Sequence, residues 1–110
     1  MLNQFILVGR IAKEIEIVEE NGKKKGIISL AIPRSFKNEE GVYDTDFVDC
    51  VAYGLIVENT KEYCRQGDIV GIKGRVQSTP MASGHAIEIV AEKVTFLSSK
   101  TEEKEEGENE

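Results

Sequence analysis

Two aromatic side chains, Phe47 and Tyr53, lie on either side of an aspartate within residues 43–54. In an extended strand alternate residues point to opposite faces, so Phe47, Asp49, Val51 and Tyr53 share one face. The aspartate between the rings fits poorly in a dry interior. Two rings on an open sheet face could stack against unpaired nucleic-acid bases, because every base has a π-face. The alternative is that both rings pack under a loop or against another subunit.

The opposite face of the same strand is small and apolar. Val48, Cys50 and Ala52 are therefore predicted to point into a packed core. Cys50 and Cys64 lack the spacing of metal ligands, so we expect two reduced, buried thiols. His85 is the only histidine and has no partner at ligand spacing. The sequence predicts neither a metal site nor a cofactor.

The length and charge of the chain set further limits. A chain of 110 residues predicts one domain. The net charge of −6 is concentrated at one end, since residues 101–110 carry six of the 20 acids and one of the 14 bases. The rest is nearly neutral and can still form a local basic groove. With no membrane-spanning apolar run and no signal-peptide pattern, we expect a cytoplasmic protein.

Hydrophobic alternation predicts five strands and one helix. Asn21-Gly22 predicts a tight hairpin turn. Gly67 is the predicted stop of the helix, which would bury Tyr63 and Cys64. The first predicted strand has two parts, residues 3–10 and 14–18, with a bend at Gly9 between them. The other predicted strands cover residues 26–33 ending at Pro33, 43–54, 68–79, and 86–97; the helix covers 55–66, and residues 34–42 and 80–85 are predicted loops.

Five basic residues could hold phosphates along a groove beside the rings. Lys73 and Arg75 are the stronger pair, because strand periodicity places them on one face. The simpler reading of each is a solvated surface charge. Asp49 would repel a phosphate, so we expect it to pair with a basic side chain such as Arg75 or to lie away from the path of the phosphates. The phosphate-contact candidates are Arg10, Arg34, Lys37, Lys73 and Arg75.

The order of elements predicts an all-β fold, a small five-stranded barrel with the helix between strands 3 and 4. Glycines at Gly9, Gly54, Gly71 and Gly74 favour closure, because a five-stranded sheet must curl sharply to close. This arrangement describes an OB-fold, in which strands 2 and 3 and the flanking loops bind oligonucleotides or oligosaccharides.

Several dispersed motifs in the same order are similar to the bacterial single-stranded DNA-binding protein family. The likeness covers residues 1–100 and implies an OB-fold that assembles as a homotetramer and wraps unpaired DNA without reading its sequence. It rests on Leu2-Asn3, Ile6-Leu7-Val8-Gly9-Arg10, the segment from Asp46-Phe47 to Tyr53-Gly54, Glu62-Tyr63 before Gly67, and Gly71-Ile72-Lys73-Gly74-Arg75.

The resemblance also implies which side chains stack on bases. The family's positions fall on Phe36 in the loop after strand 2, Phe47 early in strand 3, and Tyr53 at its end. A fourth position falls on Met81, where the family usually has an aromatic residue. A methionine thioether is polarizable and can lie against a base, although less well than a ring.

The C-terminal residues differ from the family pattern. We expect a domain over residues 1–99 and a disordered acidic tail over 100–110. Family members commonly end in an acidic segment with an apolar tip that partner enzymes grip, whereas this sequence finishes at Glu108-Asn109-Glu110. The sequence therefore does not predict recruitment of replication or repair proteins by that route. The tail could act as a solubilising segment or as a DNA mimic that occupies the basic groove.

Two other functions remain open at this point. A related OB-fold component of the primosome, a small dimeric replication-restart protein, would share the fold and lack the apolar tip. A protein-assembly module would use the aromatic face to contact another protein. An enzyme is not predicted, because the sequence lacks a paired acid and base, a glycine-rich phosphate loop and a nucleophile elbow.

Overall fold

The computed structural model describes residues 1–99 and contains six strands and one helix. The predicted acidic tail lies outside the described residues. Within residues 1–99 no helix is long and apolar enough to cross a membrane. The elements are β1 (Phe5–Ile11), β2 (Ile17–Glu20), β3 (Lys23–Lys37), β4 (Tyr43–Tyr53), α1 (Leu55–Tyr63), β5 (Ile69–Met81) and β6 (Gly84–Ser98).

Five of the strands close into a barrel. The sheet runs β1-β5-β6-β4-β3, and a further pairing of β1 with β3 joins its two ends. All of these pairs are antiparallel except β4 with β6. The helix follows β4 and precedes β5, which confirms the predicted OB-fold with a helix between the third and fourth barrel strands.

The first predicted strand is divided into β1 and β2. Both run antiparallel to β3, at Arg10 and Ile11 for β1 and from Ile17 onward for β2, so together they serve as one interrupted barrel strand. Gly9 lies inside β1, which continues past it to Ile11. A Cβ at this position would lie 2.7 Å from the carbonyl oxygen of Ala31, so glycine is needed for the close approach of β1 to β3.

The Asn21-Gly22 turn is confirmed. It joins β2 to β3, whose first paired residues are Glu20 and Lys23. Asn21 and Gly22 have φ values of 52° and 78°. Two consecutive positive φ angles define the hairpin turn that matches strand twist, and Asn-Gly is the sequence that adopts it most readily.

The core follows the predicted alternation. Cys50 and Ala52 are fully buried on β4, and Val48 packs against the same cluster. Ile28 and Leu30 on β3, directly opposite Cys50 and Val48, belong to the same cluster. Burial raises the pKa of the Cys50 thiol to about 11, so this thiol is neutral in the folded protein at physiological pH.

Helix α1 is shorter than predicted and ends at Tyr63. The helix ends where Cys64 adopts an extended backbone, with φ −118° and ψ 152°. After it, Gly67 donates to the carbonyl of Ile11, and the N–H of Ile11 donates to the carbonyl of Asp68. Val57, Thr60 and Cys64 lie on the buried side of this segment. The prediction that Cys64 is buried is confirmed, but the prediction for Tyr63 is wrong, since this ring is exposed. Tyr63 lies one position away from the buried stripe.

Both predicted loops contain strand residues. β3 continues past Pro33 to Lys37, with a register irregularity between these residues. β5 continues to Met81 and β6 resumes at Gly84. Both regions form hairpin arms. Their polar composition reflects exposure and not irregular backbone, which is why alternation of polar and apolar residues did not identify them as strand.

Candidate nucleic-acid interface

The outward face of β4 carries the two predicted rings. Phe47 is 72 % exposed and Tyr53 is 36 % exposed. Val51, between them, is buried, although it lies outside the core cluster. Phe47 pairs with Ala31 on β3, so a small neighbour leaves the ring open on that side. The rings and the short side chains between them form a surface, hereafter the β4 platform, that can receive a flat partner.

Asp49 at the centre of the β4 platform does not pair with Arg75. Its carboxylate oxygen Oδ1 accepts a hydrogen bond of 2.6 Å from the hydroxyl of Ser29 on the neighbouring strand. Of the two predicted alternatives for Asp49, the ion pair with Arg75 is therefore wrong. The physical reason is register, since Ser29 lies directly opposite Asp49 on β3, whereas Arg75 lies beyond β6.

Arg75 nevertheless lies beside the β4 platform. The register places Val51, Val90 and Arg75 next to one another on β4, β6 and β5. Two strand spacings separate Val51 from Arg75, a distance of about 10 Å. Arg75 Nη1 donates to Oε1 of Gln77 at 2.5 Å, and its Nε lies 3.7 Å from a carboxylate oxygen of Glu92. This guanidinium is held close to the sheet and remains about half exposed.

The remaining two stacking candidates lie on the hairpin arms. Phe36 is 62 % exposed on β3, and Met81 is 59 % exposed at the end of β5. Neither is in a loop, contrary to the prediction. Placement on strands restricts the direction of both side chains more than a loop would.

Arg34 is engaged by carboxylates. Its Nε donates to Asp46 Oδ2 at 3.1 Å and its Nη2 donates to Oδ1 at 2.9 Å, while Asp44 lies 3.8 Å from Nη1. Hydrogen bonding from Arg34 lowers the pKa of the Asp46 carboxyl below its usual value. Asp44 and Asp46 lie on the strand face opposite Phe47, by alternation along β4. The structure therefore places Arg34 behind the β4 platform, with its charge balanced.

The other basic candidates differ in their surroundings. Arg10 Nη1 donates to the backbone carbonyl of Gly67 at 2.9 Å. Lys73 is exposed on β5, where it lies directly opposite Lys93 of β6. Lys37 is exposed at the end of β3, with its ammonium 5.7 Å from the ring centroid of Tyr43. The structure thus places Lys73 and Arg75 on one face of β5, as predicted. The other basic candidates lie on β1 and β3.

Two residues with suitable geometry were not predicted. Lys25 lies opposite Tyr53 on β3, with its ammonium 6.0 Å from the ring centroid. Tyr43, at the start of β4, is 53 % exposed. Extending the alternation back from Phe47 would have placed Tyr43 on the same face. The position of Lys25 requires the β3–β4 register, which a single sequence does not provide.

Comparison with known proteins identifies the family of this barrel. The model of the single-strand binding protein family matches residues 2–97. The chain belongs to this family. "Single-stranded DNA-binding protein B" of Bacillus subtilis is 34 % identical over 94 % of this chain and 97 % of that protein. "Single-stranded DNA-binding protein 2" of Staphylococcus aureus strain COL is 36 % identical over 96 % of this chain and 80 % of that protein.

A solved structure supports the fold of this family member. A deletion mutant of the single-stranded DNA binding protein from Thermus aquaticus superposes with a TM-score of 0.75 at 18 % sequence identity. The match covers 90 % of this chain and 52 % of the Thermus chain. The single-strand binding protein family consists of binding proteins and not enzymes, so membership agrees with the predicted absence of catalysis.

Proposed function

We propose that this single-strand binding protein family member binds and protects single-stranded DNA, without sequence preference, during DNA replication, recombination or repair in the cytoplasm. The observation that carries the proposal is the β4 platform, where Phe47 and Tyr53 are exposed on the outer face of an OB-fold barrel. Exposed rings beside basic side chains are the combination that single-stranded nucleic acid requires.

In this proposal bases stack on four side chains: Phe47 and Tyr53 on the platform, and Phe36 and Met81 on the arms. Each is exposed, so a base can reach it without unfolding the barrel. Stacking contributes about 1–3 kcal/mol per base for aromatic side chains. A thioether gives a weaker surface, so Met81 contributes less than a ring.

Phosphates are held by cationic side chains around the β4 platform. Lys73 and Arg75 lie on one side of it, and Lys25 extends the set on the other side beside Tyr53. Lys37 on the β3–β4 arm and Arg10 on β1 contribute further phosphate contacts. Arg34 must release Asp46 before it can contact a phosphate, so its share of the binding free energy is small.

In this proposal the protein assembles as a homotetramer through β1. One edge of Phe5–Ile11 pairs with β5, while among residues 1–99 the opposite edge pairs with β3 only at Arg10 and Ile11. Ile6 and Val8 on the outer face of this strand are exposed. An open strand edge beside exposed apolar side chains is a surface suited to pairing with a second copy.

A polarization titration with labelled poly-dT, at several salt concentrations, tests the proposal. We expect tight binding to poly-dT and negligible binding to a duplex of matched length. The logarithm of the affinity should fall with the logarithm of salt concentration, with a slope near −0.7 for each phosphate neutralised. Light scattering of the same samples should give a mass near four chains. Equal binding to the duplex, or no binding to poly-dT, would refute the proposed function.

A further inference from the structure

The outer end of the β3–β4 hairpin carries an aromatic and a basic residue on neighbouring strands. Lys37 and Tyr43 lie directly opposite each other in the outermost residue pair of the two strands. Asn38 closes the connection between them. Its side-chain Oδ1 accepts from the N–H groups of Glu40 and Val42 at 2.9 and 3.0 Å, and its backbone N–H donates to Val42 at 2.8 Å. These bonds restrain the backbone at the end of the arm.

Tyr43 lies on the same strand face as the β4 platform. Residues Tyr43, Thr45 and Phe47 alternate with Asp44 and Asp46, which Arg34 binds from the other side. Phe47 is four positions after Tyr43, which corresponds to about 13 Å along the strand. A strand of DNA that stacks on Phe47 can therefore reach Tyr43 by continuing along the arm.

The ring of Tyr43 is the stronger feature at this end of the arm. It is 53 % exposed, and the ammonium of Lys37 lies 5.7 Å from its centroid. Glu39 and Glu40 are exposed in the same connection, so the end of the arm is not basic as a whole. Affinity at this position must come mainly from stacking, with Lys37 supplying one cation.

We propose that Tyr43 is a further base-stacking residue and that Lys37 binds the phosphate beside that base. The inference depends on the proposed single-stranded DNA function and extends its site outward from Phe47 to the end of the β3–β4 arm. The hydrogen bonds of Asn38 in the β3–β4 connection favour this role, because a site that is restrained before binding loses less conformational freedom when DNA binds.

The test compares Tyr43→Ala with Tyr63→Ala in poly-dT titrations. Tyr63 is the matched control, since it is an exposed tyrosine on helix α1 and outside the proposed site. Loss of one stacked base predicts an affinity for Tyr43→Ala about 5-fold to 150-fold below that of Tyr63→Ala. Tyr43→Phe keeps the ring and should retain the wild-type affinity. Equal affinities for the two alanine variants would overturn the inference.

An abasic oligomer separates stacking from a structural effect. This oligomer keeps the phosphates and lacks the bases, so Tyr43→Ala should bind it as well as the wild type does. An equal deficit on both oligomers would show that Tyr43 only supports the arm, and would refute the stacking role. Lys37→Gln should reduce the salt slope by about 0.7, and an unchanged slope would contradict the phosphate contact. Failure of the proposed function is distinguishable, because the wild type would then not bind poly-dT.

Discussion

Replacing Phe47 and Tyr53 together with alanine should weaken poly-dT binding by about 2–6 kcal/mol, since each stacked base contributes about 1–3 kcal/mol. The barrel should stay folded, because neither ring belongs to the core cluster and Phe47 is largely exposed. Polarization titrations measure the affinity, and circular dichroism melting measures the stability of the same samples.

A double alanine variant of Leu55 and Tyr63 is the control for this experiment. Both side chains are large, apolar and exposed on helix α1, outside the β4 platform. The control should bind poly-dT as the wild type does. If the platform variant unfolds, the two rings are part of the core. If it binds DNA normally, the bases lie elsewhere.

The second large effect is on stability and comes from Gly74. This residue lies where the β5–β6 register shifts, paired with Ala91. A Cβ there would overlap the backbone carbonyl oxygen of Val90 and lie 2.8 Å from the Phe5 ring. Because backbone cannot move aside without breaking strand pairing, Gly74→Ala should destabilise the fold by about 3 kcal/mol, the upper end for overpacked interiors.

Gly71→Ala is the matched control on the same strand. The nearest atom to its added Cβ would be Leu97 Cδ1 at 3.7 Å, an ordinary contact with the end of a side chain. Its stability should equal or slightly exceed that of the wild type, because alanine lowers the entropy of the unfolded chain. Urea unfolding gives both free energies. Equal midpoints for the two variants would show that β5 and β6 are less closely packed at Gly74 than the structure indicates.

The barrel itself was predictable from alternation. Buried residues such as Ile28, Leu30, Cys50 and Ile72 follow the period of two because each strand has one face in the core. The hairpin at Asn21 was predictable for a different reason, since few sequences besides Asn-Gly tolerate two consecutive positive φ angles. Local chemistry therefore determines both features.

The arms and the partners of charged residues were not predictable. Both faces of the arms are exposed, so Phe36 and Met81 lie on strands that show no hydrophobic alternation. The engagement of Arg34 by Asp46, and of Asp49 by Ser29, depends on strand register. Register follows from barrel closure and the irregularity after Pro33, which are properties of the whole fold and not of any short segment.

The position of the bases on the protein is the most direct test of this account. An oligomer containing 5-bromouracil, irradiated in complex with the protein and analysed by peptide mass spectrometry, records which side chains lie against bases. We predict cross-links at Phe47 and Tyr53, with duplex of the same sequence giving none. Cross-links confined to helix α1, or to the outer face of β1, would contradict the proposal that the β4 platform binds DNA.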